Sequence, residues 1–236
     1  MVLFFLPHAG GSAKSYCSFK RFLPRSLTVV PMEIAGRSTR SNEPLFKEIS
    51  DCCRDLIERH SEQMAAEEYA IFGHSMGTLL TCELVRQARE KGLPEPVHVF
   101  LSGRCSADED VTIFSADEET PDSAIMEFFF SKELFPQPAA GAEELMAMIT
   151  PILCTDVRMA DKYRLTPRQF RFNCDVTVMY GREDEMLKVY DMHGWQRMTT
   201  GSCKVYEFSG AHFYYQEHKE EICHIIAEKL LGTFNA

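Results

Sequence analysis

The chain has 236 residues, 45% of them hydrophobic and 25% charged, which suits one soluble domain with a sizeable core. A formal net charge of −10 argues against nucleic acid and anionic membrane surfaces as partners. No apolar run approaches the roughly 18 residues of a membrane span, and nine cysteines without a C-x-x-C pair point to reduced thiols in a cytoplasmic compartment.

Residues 2–6 form an apolar, β-prone run with no basic segment ahead of it, so they read as a first strand and not as a secretory signal. A helix is predicted over 13–23, a strand over 27–32 and a helix over about 45–64, in which Cys52-Cys53 reads as a packing pair. Tyr69-Ala70-Ile71-Phe72 is a short strand, and apolar residues then recur at helical spacing to about Lys91. Further strands are predicted over 97–101, 176–180 and 204–208, with a final helix over about 216–231. This alternation predicts an α/β fold with a mostly parallel central sheet flanked by helices, in a single domain over 1–236.

The segment from about 106 to 171 breaks the rhythm. It begins acidic, at Asp108-Glu109-Asp110 and Asp117-Glu118-Glu119, and Pro121, Pro136, Pro138 and Pro151 punctuate it. Between them lie large flexible apolar side chains, among them Met126, Phe128, Phe129, Phe130, Leu134, Phe135, Met146 and Ile149. It reads as a helical cap inserted between two strands. Its side chains either pack the cap onto the body or, with Met126, Phe129, Phe130, Met146 and Ile149 as candidates, line a pocket for an acyl chain.

Gly73-His74-Ser75-Met76-Gly77 stands between the strand at 69–72 and the helix after it. A G-x-S-x-G pentapeptide at a strand-to-helix junction is the nucleophile elbow of an α/β-hydrolase, in which an acid and then a histidine follow the serine along the chain. The late strands end in Gly181-Arg182-Glu183-Asp184-Glu185 and Ser209-Gly210-Ala211-His212-Phe213. His212 is therefore the expected base and Asp184 the expected orienting acid, with Glu183 and Glu185 as competitors. The N–H of Met76 is one expected oxyanion donor, and the N–H of Ala9, in the glycine-rich run after the first strand, is the other. The remaining histidines have no ligand-like spacing, so neither a metal nor a bound cofactor is expected.

Phe5-Leu6-Pro7-His8-Ala9-Gly10-Gly11-Ser12-Ala13, Gly36-Arg37, the elbow, Leu101-Ser102-Gly103-Arg104, Gly181-Arg182-Glu183-Asp184 and Gly210-Ala211-His212-Phe213 occur in this order. Together they resemble the type II (external, editing) thioesterases of nonribosomal peptide and polyketide synthesis, nearly end to end. Pro151-Ile152-Leu153, with Asp156 and Tyr163 beyond, resembles the cap segment of that family. The chain departs from it at Ala35, where proline is common before Gly-Arg, and at Glu185, where proline often follows the acid.

The resemblance implies hydrolysis of acyl thioesters on phosphopantetheinyl carrier proteins, with Ser75, Asp184 and His212 as triad and Ala9 and Met76 as oxyanion donors. Phosphopantetheine would be part of the substrate, the partners would be acyl or peptidyl carrier proteins, and the enzyme is expected to be a monomer. Arg158, Lys162, Arg164, Arg168 and Arg171 form either a local docking patch for an acidic carrier or a solvated cap surface. The rival expectations are a small-ester or acyl-CoA hydrolase, an acyltransferase with the same triad, and a non-catalytic binding protein.

Overall fold

The computed structural model describes residues 1–109, 114, 116–132, 134, 141–166 and 168–232. Asp110, Phe135, Pro136 and Pro138, read above as parts of the cap, lie outside the described residues.

Six strands, β1 (Val2–Leu6), β2 (Thr28–Pro31), β3 (Tyr69–His74), β4 (His98–Ser102), β5 (Asp175–Gly181) and β6 (Cys203–Phe208), form one sheet in the order β2-β1-β3-β4-β5-β6. Every pairing is parallel. The chain moves outward from β1 to β2, then returns past β1 to β3 and proceeds the other way. The strand order therefore reverses between β1 and β3, the point at which open α/β sheets bind ligands beyond the carboxyl ends of their strands.

β1 is buried along its whole length, and its side chains divide between two cores. Val2, Phe4 and Leu6 face one core together with α1 (Ile49–Ala66), α2 (Met76–Glu90) and the cap. Leu3 and Phe5 face the other, with Tyr16, Phe19 and the final helix α5 (Lys219–Leu231). This is the period-2 alternation of a strand covered on both sides. α1 buries Ile49, Cys52, Cys53, Leu56 and Ile57, the i, i+3, i+4, i+7 stripe of a helix on a sheet, and each large apolar side chain so buried contributes about 1.5–3 kcal/mol.

Several boundaries differ from expectation, for local reasons. The first predicted helix is a 3₁₀ segment, Ala13–Arg21, whose buried Tyr16 and Phe19 lie one 3₁₀ turn apart. α1 begins at Ile49 and not near Leu45, because Leu45 instead covers Gly36, where a Cβ would come within 2.3 Å of Leu45 Cδ2. α5 begins at Lys219, since the preceding turn, Tyr214–Gln216, is spent on burying Tyr214 and Tyr215. The 3₁₀ segment Met192–Met198 has no helical periodicity in sequence; it is fixed by Trp195, which is fully buried and donates from Nε1 to the Arg104 carbonyl at 2.9 Å.

The cap enters between β4 and β5 and contributes α3 (Asp122–Ser131) and α4 (Glu143–Lys162). Pro151 inside α4 lacks the N–H that would bond Ala147 and divides the helix. Before it, Leu145 and Met148 are exposed; beyond it, Leu153, Asp156, Val157 and Ala160 are buried against the body. The second half of α4 is thus seated on the body, while the first half is packed only through Met146 and Ile149. No helix among the described residues is long and apolar enough to cross a membrane.

Candidate active site

Ser75 sits in the turn from β3 into α2 with φ 53° and ψ −116°, a conformation that side chains rarely adopt. The flanking glycines explain how it is held. A Cβ on Gly73 would lie 2.2 Å from the Gly77 carbonyl oxygen, and one on Gly77 would lie 2.3 Å from that of Leu6. Strand and helix are therefore in backbone contact, and the elbow presses on the end of β1. The Ser75 N–H donates to the Ser102 carbonyl at 2.7 Å, and its own carbonyl accepts from the Thr78 N–H at 2.9 Å and the Thr78 hydroxyl at 2.8 Å. Its side chain stands at the N-terminus of α2, where the helix dipole favours developing negative charge.

His212 and Asp184 follow β6 and β5, on the same rim of the sheet. His212 Nδ1 is 2.7 Å from Asp184 Oδ2, and both side chains are buried. Asp184 Oδ1 accepts from the Met186 N–H at 3.1 Å, which fixes the carboxylate's roll. The neighbouring acids are engaged elsewhere: Glu183 accepts from the Gly210 N–H, and Glu185 pairs with Lys188. Behind Asp184 and His212 lies a cavity of about 480 Å³, which Lys132 and Leu134 of the cap also line.

Three imidazoles meet here. The His74 ring lies 5.0 Å from that of His212 and 5.9 Å from that of His8. His8 is pushed down to about 3 by burial, then by His212 and Arg37, and His74 well below the usual histidine range by burial, then by His212 and His8. Both are neutral. In the sequence, His8 and His74 are distinguished only by lacking ligand-like spacing. Their signal lies in Gly11 and Gly103, where a Cβ would come within 2.8 Å of the His8 ring and 2.4 Å of the His74 ring.

The run after β1 is a tight turn in which the Gly11 N–H donates to the His8 carbonyl at 2.9 Å. Gly10 has φ 74°, whereas Ala9 is not among the positive-φ residues, which together define a type II turn. Among the described residues, neither the Ala9 N–H nor the Met76 N–H has a hydrogen-bond acceptor. The turn is braced from outside. Asp156 Oδ2 accepts from the Gly10 N–H at 2.8 Å and from Arg37 Nη1 at 2.6 Å, Asp156 Oδ1 accepts from Arg37 Nη2 at 2.8 Å, and Arg37 Nη1 also donates to the Gly11 carbonyl at 3.1 Å. Burial lowers the Arg37 pKa, but the adjacent Asp156 more than offsets it, so the guanidinium stays charged.

The candidate pocket residues do not form one surface. Met126 and Phe130 share an open groove of about 460 Å³. Phe129 is buried in the main core, and Met146 and Ile149 are half-buried against it. The basic residues separate too. Arg158 bonds the carbonyls of Asp117 and Thr120 and pairs with Asp122 at 2.7 Å, and Lys162 is 3.1 Å from Glu118. Arg164 donates to the carbonyls of Asp161 and Tyr163, while Arg168 and Arg171 are exposed.

Residues 2–230 match the thioesterase domain family. The chain is 30% identical to linear gramicidin dehydrogenase LgrE of Brevibacillus parabrevis, over 98% of this chain and 88% of that one. It is 28% identical to thioesterase PikA5 of Streptomyces venezuelae, over 98% of this chain and 81% of the other. The crystal structure of ClbQ from the colibactin NRPS/PKS pathway superposes with a TM-score of 0.85 at 28% identity, covering 97% of this chain and 96% of that one.

Proposed function

The chain belongs to the thioesterase domain family, and from that premise we propose that it is a type II serine thioesterase, releasing aberrant or stalled acyl groups from phosphopantetheinyl carrier proteins of nonribosomal peptide or polyketide synthesis. The observation that carries this reading is the 2.7 Å contact of His212 Nδ1 with Asp184 Oδ2 on the rim where Ser75 is held at φ 53°. An imidazole whose Nδ1–H is tied to a carboxylate presents Nε2 as a base.

Ser75 Oγ attacks the thioester carbonyl as His212 takes its proton, and the tetrahedral oxyanion is met by the N–H groups of Ala9 and Met76. The bond to sulfur breaks and His212 returns the proton to the departing thiol, whose pKa of about 8.5 makes it a far better leaving group than an alkoxide. Water activated by His212 then cleaves the acyl-serine, giving a free acid and restoring Ser75. In this reading the enzyme is a cytoplasmic monomer with no cofactor of its own, and phosphopantetheine belongs to the substrate. Of the cap candidates, Met126 and Phe130, which share the open groove, are the ones assigned to acyl binding, while Phe129, Met146 and Ile149 pack the cap.

One similar protein is called a dehydrogenase. The turn after β1 in this chain reads Pro7-His8-Ala9-Gly10-Gly11-Ser12, which is not the G-x-G-x-x-G of a dinucleotide fold, and nothing here favours hydride chemistry.

The test is intact-protein mass spectrometry of an acyl-phosphopantetheinyl carrier protein incubated with wild type or Ser75→Ala, beside a p-nitrophenyl ester and an acyl-CoA bearing the same acyl group. Loss of acyl mass from the carrier with wild type alone, faster than from the free substrates, is the expected result. Fast cleavage of the ester or acyl-CoA with the carrier untouched would replace it with a general acyl hydrolase.

A further inference from the structure

Arg37 and Asp156 take no part in the chemistry above, yet they form a buried, bidentate ion pair beside it. Arg37 follows β2 on the body; Asp156 is on α4 of the cap. What they hold in common is the turn after β1, by its Gly10 N–H and its Gly11 carbonyl. The peptide between Ala9 and Gly10 is the central unit of that turn, and its orientation separates a type II from a type I turn. Fixing the Gly10 N–H on a carboxylate, and the Gly11 carbonyl on Arg37, holds the turn in the form in which the Gly11 N–H closes on the His8 carbonyl at 2.9 Å; that carbonyl shares its peptide unit with the Ala9 N–H, whose direction is set with it. Leu153, one turn earlier on α4, packs on the same place: a Cβ on Gly10 would lie 3.2 Å from its Cδ1.

We propose that Asp156, anchored by Arg37, is a positioning residue that sets the oxyanion-binding conformation of the 8–11 turn, so that the seating of cap helix α4 and the competence of the oxyanion hole are one event. This rests on the serine-hydrolase reading of Ser75 and Ala9. A buried carboxylate that accepts a backbone N–H and is itself neutralised by a bidentate guanidinium is costly to build for packing alone, since apolar residues of similar volume serve packing as well. Its return is a preorganised donor, which costs no reorganisation when the oxyanion forms.

The test compares two uncharged double variants, because a single substitution strands a buried charge. Arg37→Met with Asp156→Leu keeps the volume and removes the acceptor for Gly10; Arg37→Gln with Asp156→Asn keeps an amide oxygen there. The substrate is p-nitrophenyl butyrate, and the ligands are butylboronic acid, which forms a tetrahedral adduct on the serine, and butyrate, which does not. The Met/Leu pair should lose about 100-fold in kcat and a similar factor in boronate affinity, with KM and butyrate binding changed by less than about threefold. The Gln/Asn pair should keep kcat within about tenfold of wild type. Equal rates for the two pairs, or parallel losses of boronate and butyrate affinity, would make the ion pair a scaffold only and overturn the proposal. Amide hydrogen exchange on the wild-type enzyme needs no variant to fold: Gly10 N–H should be protected, and exchange at the open-chain rate would also overturn it. Ser75→Ala in the same ester assay separates the two readings, since undiminished hydrolysis there would remove the serine mechanism itself.

Discussion

His74 Nδ1 stands 2.9 Å from Ser102 Oγ at the paired ends of β3 and β4, and that hydroxyl stands 2.7 Å from the hydroxyl of Tyr214. Both hydroxyls are uncharged, and among the described residues no carboxylate is hydrogen-bonded to His74 to compensate a proton on it. With His8 also neutral, two of the three clustered imidazoles are withdrawn from titration near neutral pH. His212 is the ring of the cluster that faces a carboxylate. The cluster thereby sets one ring, bonded to Asp184, apart from two neutral rings that pack around it, although all three are histidine.

This makes stability depend on pH. The folded values of His8 and His74 lie below the ordinary 6.5, so as the medium is acidified the unfolded chain takes up their protons first. Both contributions are complete above about 6.5 and are lost as pH falls below it, that of His8 toward its folded value of about 3. The slope is up to about 1.4 kcal/mol per pH unit for each ring. Urea unfolding at about pH 7 and about pH 5 should show stability falling with acidification, and His8→Gln should shed part of that slope. An unchanged slope in His8→Gln would mean that His8 is not held neutral.

Asp184→Asn should lower kcat by about 10⁴ on a p-nitrophenyl ester, because the amide stabilises the wrong imidazole tautomer while leaving the geometry in place. Glu185→Gln should stay within about threefold of wild type, since Glu185 faces Lys188 and not His212. Steady-state kinetics on both variants decides it, and full activity in Asp184→Asn would move the acid elsewhere.

Where a feature is written locally, the sequence alone was enough to read it. The apolar runs at 2–6, 69–74 and 98–102 are strands because each is short, buried on both faces and bounded by turn residues. The elbow was legible because Gly73 and Gly77 are required by backbone contact, so the constraint is carried by the residues themselves. Arg37 and Asp156 are 119 residues apart, and only the folded chain shows that they meet and what they grip. Trp195 was equally opaque, since one buried indole bonded to a distant carbonyl leaves no periodic trace. The basic residues near the cap stayed open between a docking patch and a solvated surface, because their charges gave no sign that Asp122 and Glu118 would fold back onto Arg158 and Lys162.

The strain at Ser75 can be measured separately from its chemistry. Ser75→Ala and Ser75→Gly should both be inactive. Alanine keeps a Cβ at φ 53°, whereas glycine adopts that conformation freely. Ser75→Gly should therefore be the more stable of the two by roughly 1 kcal/mol in denaturant unfolding, the backbone relief exceeding the entropy that glycine loses on folding. If glycine were the less stable, the elbow would hold the serine without strain.

Carrier docking, if it uses the basic end of the cap, falls to Arg168 and Arg171, because Arg158 and Lys162 are already neutralised by acids beside them. Exposed charges act on encounter more than on the bound state, and salt screens them. Against a net charge of −10, a local positive patch is also what would let an acidic carrier approach. Arg168→Glu with Arg171→Glu should raise KM for an acyl-carrier substrate on the order of tenfold at low salt, and leave the p-nitrophenyl ester unchanged. Added salt should bring the variant and wild type together on the carrier. Arg158→Gln should behave differently: by releasing the 117–122 loop it should lower thermal stability, and any kinetic loss should fall on both substrates alike. Steady-state kinetics on the two substrates at two salt concentrations separates these effects. A carrier KM indifferent to both charge reversals would move the docking surface away from this end of the cap.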